Sequence, residues 1–363
     1  FNDASITGSV DTRNNQLGLV AKIPSAKFGN FSFSGVDLIG KGNIDTLSLT
    51  GTISSIQASD SLRFPNTKLH IVSYNDHSEI SIKTSADNTL NDADLYADVY
   101  TLSDGFRVQF RPSSFVLNEK KWNIEKSGEL TVRTHFVHAQ NVKFTQGFQE
   151  ITVETAEEDG GNTQNLIVKL KSVIIGDLAS LFFKNPRLEG STSGSVVLND
   201  FFGQFHASAD LKAEQFRLDD DSIGLVNIKA GYNSKTGEIP FTIQSPNEGY
   251  KFVAKGNYNL KDSTGSPLHT DINLEDSRID ILHKFLSNIF TNITGHATGN
   301  LNISGNLNNP DLFGKIKLRN AGLKVNYTQV YYTIDSAEIN FEKDGIDFGR
   351  LNIHDRYKNT GTV

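Results

Sequence analysis

The sequence predicts an all-β chain built as a long antiparallel sheet with one apolar and one polar face. Period-two alternation is the first reason. Leu47-Ser-Leu49-Thr-Gly51-Thr-Ile53, Phe106-Arg-Val108-Gln-Phe110-Arg, Leu130-Thr-Val132-Arg and Leu166-Ile-Val168-Lys-Leu170-Lys all place apolar side chains on one side of an extended backbone. Punctuation is the second. Asp159-Gly160-Gly161-Asn162, Lys235-Thr236-Gly237, Lys343-Asp344-Gly345 and Asp104-Gly105-Phe106 read as hairpin connections. Composition is the third. Hydrophobic residues make up 37% of the chain, and 24 Phe stand against 1 Trp, which suits many half-buried strands better than one thick core.

Two segments depart from the alternation. Asp177-Leu-Ala-Ser-Leu-Phe-Phe183 has a short amphipathic helical pattern, closed by Asn185-Pro186. Ser277 to Phe290 places Leu282, Phe285, Leu286, Ile289 and Phe290 at helical spacing, with Ser277 and Asp280 placed as a capping box. Neither has a cationic polar face, so each is expected to plug an end of the sheet rather than lie on a membrane. Both introduce similar stretches. Leu188-Glu-Gly190-Ser-Thr-Ser-Gly194-Ser-Val-Val-Leu198 matches Ile293-Thr-Gly295-His-Ala-Thr-Gly299-Asn-Leu-Asn-Ile303, and His206–Ala213 follows the first as Phe313–Leu318 follows the second. The expected organisation is a strand-rich part over 1–176 and two helix-plus-strands units over 177–276 and 277–363.

The 363 residues suffice for two or three ordinary domains or one long repetitive structure. With no Met, the sequence is expected to be an excerpt or processed piece, with signals and anchors outside it. With no Cys, disulfides, thiolate zinc sites and Cys nucleophiles are excluded, and a compartment outside the cytoplasm is weakly favoured. A net charge of −7 with scattered basic residues argues against a nucleic-acid partner.

Motifs for chemistry are weak. His135 and His138 sit three apart in a strand pattern, which sends them to opposite faces. Asp219-Asp220-Asp221 lacks the alternating ligands and terminal Glu of a calcium loop. Gly190-Ser-Thr-Ser-Gly194 carries Thr192 where a hydrolase elbow needs Ser, and Glu157-Glu158 is an ordinary acidic pair. No enzyme, metal or cofactor is expected. What remains is the apolar face, which a closed sandwich or barrel would bury and an open sheet would leave as a groove. At Asn320-Ala321-Gly322 the apolar positions slip from even to odd numbers, which reads as a β-bulge.

The helix before Ile293-Thr-Gly295, the Gly299-Asn-Leu-Asn-Ile303-Ser-Gly305 run, the Asn309-Pro310-Asp311 turn, the Ala-Gly-Leu-Lys-Val325 strand and Tyr331-Tyr332 together resemble the glycine-bounded unit of the TamB family, within the AsmA-like, bridge-like lipid-transfer group. The tail Asp347-Phe-Gly-Arg-Leu351-Asn-Ile353-His-Asp, with Gly361 beyond it, resembles the approach to that family's C-terminal region. The match is good over 277–363, fair over 177–260 and thin before. The resemblance implies a curved sheet forming a U-shaped trough (a β-taco) with an apolar interior, held in the Gram-negative periplasm by an inner-membrane anchor outside this segment. It further implies passage of phospholipid acyl chains between the membranes, with an outer-membrane barrel of the TamA or BamA kind as partner.

On that reading the groove is lined by Val196, Leu198, Phe205 and Leu211 in the first unit. In the second it is lined by Leu301, Ile303, Leu307, Ile316, Leu318, Leu323, Val325, Ile339, Phe341, Ile346 and Phe348. Each fits core packing as well. Two other functions stay open: a structural or chaperone module that pairs nascent barrel strands along its edges, and an extracellular adhesive array.

Overall fold

A computed structural model describes residues 3–28, 31–57, 63–85, 90–155, 165–179, 187–306, 309–343, 345–355, 357 and 359–362. The chain is nearly all β, 75% strand against 3% helix, with antiparallel pairing throughout and no closure into a barrel. It divides into two compact units, residues 1–186 with 197–203 and residues 187–196 with 204–363.

In the first unit β1 (Ser5–Asp11), β2 (Gln16–Phe28), β3 (Phe31–Gly42), β4 (Thr46–Gln57), β5 (Arg63–Tyr74), β6 (His77–Thr84) and β7 (Leu90–Leu102) pair in chain order. The sheet forks at β7. One end of β7 pairs with β8 (Gly105–Phe110), and the other with β9 (Ser113–Leu117). With β10 (Lys120–Ile124), β11 (Glu129–Arg133), β12 (Phe136–Gln140), β13 (Val142–Gln146), β14 (Gln149–Thr155) and β15 (Leu166–Ile174), the branches are β8–β11–β12 and β9–β10–β13–β14–β15.

The fork packs two small cores. Val137, Ala139, Val142 and Leu166 form one. Leu117, Trp122 and Val173 form the other, against which Leu178 of α1 (Ile175–Ala179) packs. Asp177 is buried in that short helix, where Lys120 Nζ donates to its two carboxylate oxygens at 2.9 and 2.8 Å. The remainder of the predicted helix, 180–183, and the Asn185-Pro186 stop lie outside the described residues, as does the predicted turn at 159–162.

β16 (Leu188–Asn199) is divided between the units. The second unit then pairs β17 (His206–Leu218), β18 (Asp221–Asn233), β19 (Glu238–Ser245), β20 (Phe252–Asn259), β21 (Leu268–Arg278), β22 (Phe290–Asn306), β23 (Asn309–Val325) and β24 (Val330–Glu342) in order. β25 (Gly345–Asp347) and β26 (Asn352–Asp355) pair with opposite ends of β24, and β27 (Thr360–Thr362) pairs with β26.

The long helix expected over Ser277–Phe290 is not formed. β21 runs on to Arg278, and only a 3-10 turn (Asp280–Leu282) and α2 (His283–Leu286) follow. Ser277 is no cap. It is buried in β21 opposite Ala297, because the strand ladder claims it before a helix can start. Leu282 is buried and Leu286 packs beside it, so the segment does plug the end of the sheet as expected. Ile289 is exposed, and Phe290 opens β22. Pro310, expected in a turn, already lies in β23 opposite Gly305, and the connection at 307–308 is outside the described residues.

The glycine repeat is repeated in conformation. Gly190 and Gly295 have φ of +115° and +109°, and Gly194 and Gly299 have +142° and +150°. A Cβ on Gly194 would stand 2.2 Å from the Asp210 carbonyl, and one on Gly299 would stand 2.3 Å from the Lys315 carbonyl. Each glycine lets the next strand approach where a side chain would collide.

At Asn320 the parity does change, with φ +47°, but the bulge expected there is not formed against β24, since Arg319↔Ser336 and Ala321↔Ile334 keep one register and both strands share the kink. Ile316 and Leu318 before it and Ala321 after it are buried in one core, so the change of parity keeps the apolar side facing the same way. Corresponding changes occur in adjoining strands of the first unit. In β2 to β5 the apolar side passes from Ile23 to Ala26, from Val36 to Phe33, from Ile53 to Ile56 and from Thr67 to Phe64. Ile23↔Val36↔Ile53↔Thr67 and Ala26↔Phe33↔Ile56↔Phe64 remain opposite one another on the two sides of it. The extra residue is matched strand by strand, so pairing stays in register.

Candidate functional site: an apolar strand face

Strand pairing turns the alternation into continuous rungs. In the first unit Leu19, Gly40, Leu49, Ile71, Ile80, Ala97 and Phe110 stand opposite one another from β2 to β8. In the second, Leu211, Ile228, Ile243, Ala254, Ile272, Leu301, Gly314, Phe341 and Ile346 do so from β17 to β25. Cross-strand partners share a face, so each rung is an unbroken apolar line perpendicular to the strands.

The second unit's face changes character along its length. Leu211, Ile228, Ile243 and Ile272 are half-buried, leaving apolar surface open. From β22 to β24 it is sealed. Leu301, Ile316, Leu318, Ile339 and Phe341 are buried in one core with Ile279, Leu282, Phe290 and Leu351, and Leu323, Val325, Ile346 and Phe348 pack against it. The plug segment and the chain after β25 cover this end, with Phe290 and Phe348 edge to face at 5.9 Å. Polar contacts fasten the plug. The Tyr250 hydroxyl donates to Asp280 Oδ1 at 2.9 Å, and the Arg278 guanidinium lies 4.9 Å from the Tyr250 ring centre. Burial, reinforced by the Asp280 bond, holds the Tyr250 hydroxyl's pKa above its ordinary value.

The expected groove residues therefore have different fates. The nine just named, from Leu301 to Phe348, are brought together in or against the sealed core. Ile303 is half-buried opposite Thr270 and Leu312. Leu211 lies on the open part of the face, Phe205 packs its ring on Tyr232 at 6.1 Å, and Val196 is half-buried. Leu198 packs on the Val137 cluster of the first unit. Leu307 lies outside the described residues.

The opposite face is a polar lattice. Lys229 and Asp210 pair at 3.4 Å, Asn302 donates to Asp271 at 2.9 Å, and the Arg319 guanidinium grips both oxygens of Asp276 at 2.7 and 2.6 Å. Sequence reasoning missed one cluster here. His77, Glu79 and Asp98 offer ligand atoms within 4.8 Å of one another. Arg111 already engages them, with Nε and Nη2 each 2.6 Å from Asp98 and Nη1 3.1 Å from Glu79. His77 Nε2 lies 2.7 Å from Asp98 Oδ1, and its ring stacks on Tyr100 at 4.7 Å. Burial pushes the Asp98 carboxyl up, but hydrogen bonds from Arg111 and His77 outweigh it and leave it below its ordinary value. The arrangement is a satisfied ion-pair network that joins β6, β7 and the link after β8, and only the pairing of β6 with β7 makes it visible.

His135 and His138 do not meet over an ion. His135 packs on Phe202, and His138 stacks on Phe136. In the acidic run, Asp219 accepts from the Arg187 backbone and Asp220 from its side chain, both as turn contacts. Among the described residues no helix is long and apolar enough to cross a membrane. No protein family, curated protein or solved structure matches the chain.

Proposed function

We propose that the apolar face carries the acyl chains of phospholipids, and that the chain is a segment of a periplasmic, TamB-like lipid conduit working with an outer-membrane barrel. The observation that carries this reading is the rung Leu211–Ile228–Ile243–Ala254–Ile272, in register across five strands and left part-open by the fold. A hydrocarbon chain needs no directional partner, only apolar surface to displace water. Covering a further 40 Å² or so on each half-buried side chain yields about 1 kcal/mol, so several rungs hold a chain while none traps it. The sealed core at β22–β24 is structural in this reading, and cargo occupies the face before it.

The test places charge where the face is open. Ile228→Asp and Ile243→Asp, and in the first unit Leu49→Asp, retain the fold and lose phospholipid that co-purifies with the wild-type chain, as read by native mass spectrometry. Equal lipid retention in a folded variant refutes the conduit. One observation favours the chaperone reading: β1 is paired only with β2 among the described residues, and all seven of its residues are exposed. An edge of that kind accepts an added strand. Under that reading a proline in β1 stops capture of a barrel-strand peptide, and charge on the face leaves capture intact.

A further inference from the structure

The far end of the β2–β3 hairpin carries an exposed aromatic pair. Phe28 and Phe31 form its last cross-strand pair, and they are 81% and 46% exposed. They lie past the parity change, on the same side as Ala26 and Phe33, and the apolar line continues through Ile56 and Phe64. The apolar face thus runs out to the rim and ends in two phenyl rings in water. Phe has no polar atom with which to make that exposure favourable.

The other side of the same end is chemically opposite. Ser25, Lys27, Ser32, Ser34, Ser55 and Gln57 line a hollow of about 450 Å³ that also touches Ala26 and Phe33, and among the described residues its lining holds no carboxylate. Arg63 reaches it by donating from Nε to Ser55 Oγ at 2.8 Å. Neither Lys27 nor Arg63 is ion-paired to a described carboxylate.

We propose that this rim is a contact point for the surface of an anionic phospholipid bilayer. The aromatic pair enters the apolar boundary while Lys27, Arg63 and the serine hydroxyls meet the phosphate layer. A bilayer interface offers an apolar stratum and an anionic one a few ångströms apart, and that juxtaposition is what this hairpin end presents. A protein surface would have to supply both chemistries separately. The inference uses different residues from the acyl-chain rung and stands without it.

The experiment is flotation of the full chain with phosphatidylcholine vesicles, with and without phosphatidylglycerol. The wild type floats with the anionic vesicles. Phe28→Ser with Phe31→Ser lowers the vesicle affinity about a hundredfold or more, the effect of removing two phenyl groups from an apolar boundary. Lys27→Gln with Arg63→Gln removes the preference for phosphatidylglycerol. In a separate Phe28→Trp variant, emission shifts to the blue on adding vesicles and is quenched by brominated acyl chains, while Trp122, 1% exposed, gives a constant background. Lys229→Gln, on the polar face of the second unit, floats like the wild type, which separates this contact from a general loss of positive charge. A wild-type chain that stays with the unbound protein, a double Phe variant that floats normally, or capture of a protein in place of vesicles overturns the proposal.

Discussion

Replacing Ile316 by Ala separates the sealed part of the apolar face from the open part. Ile316 is 2% exposed, stands between Gly299 and Ile339, and belongs to the core that the plug covers. The change removes about three methylene equivalents, worth roughly 2.4 kcal/mol of transfer free energy at about 0.8 kcal/mol each. A residual cavity adds to that, since paired strands on both sides prevent collapse, and brings the cost to about 3–4 kcal/mol. Ile228 has the same side chain on the half-buried part of the rung, where much of it already meets water. Its replacement costs about 1 kcal/mol. Amide hydrogen exchange over β22–β24 reads the difference directly. Ile316→Ala accelerates exchange there by two orders of magnitude or more, at about 1.4 kcal/mol per tenfold, and Ile228→Ala leaves it nearly unchanged. If the two variants destabilise their own strands to within about 0.5 kcal/mol of one another, the division into sealed and open stretches is wrong.

Gly314→Ala strains β23, because φ there is +120° and the new Cβ would stand 2.3 Å from the Asn300 carbonyl. The loss is at least about 2 kcal/mol, whereas Gly345→Ala, with no atom within 4 Å, is near neutral in the same melting assay. Lys120→Met leaves the buried Asp177 carboxylate without its cation and costs about 2–3 kcal/mol. Because α1 packs on the core of Trp122, that variant also red-shifts the otherwise blue, iodide-resistant indole emission. Acid weakens the first unit through Glu79 and Asp98. Both carboxyls have folded pKa values below their ordinary ones, so their stabilisation is present above the unfolded value and is lost as pH falls through the folded ones. Arg111→Gln shrinks this loss as the pH falls below the ordinary carboxyl range, measured as the pH dependence of the melting temperature.

Much of the fold was legible because a strand with one wet face writes itself as alternation. The strands of β4, β8, β11 and β15 contain the runs quoted from the sequence, and the Asn320 parity slip is a kink that β24 shares in register rather than a bulge against it. The glycine pairs were legible as a repeat, although their reason, close approach of β17 and β23, lies in pairing partners that the sequence does not name. Helical spacing misled at Ser277–Phe290. Leu282, Leu286 and Phe290 do reach one core, but a turn and the start of a strand deliver them there as well as a helix would. The face could be read, and its state of cover could not. Ile316 and Ile228 look alike in sequence, and only the plug and the tail, brought in from elsewhere, bury one and leave the other part-open. The Arg111 network was invisible for the same reason, since its members come from β6, β7 and the link after β8.

Register between strands gives the architecture a unit of growth. An antiparallel hairpin enters and leaves on the same rim, carries one residue to each rung from each strand, and brings its own matched change of parity. Inserting or deleting a whole hairpin changes the length of an apolar line by about 9.6 Å, the width of two strands, and disturbs neither the parity nor the polarity of its neighbours. A single inserted residue does the reverse: it turns the rest of its strand inside out unless both adjoining strands accept one too. Length in such a chain is a quantity that duplication can adjust freely, while the alternation within each strand is held fixed by every strand beside it.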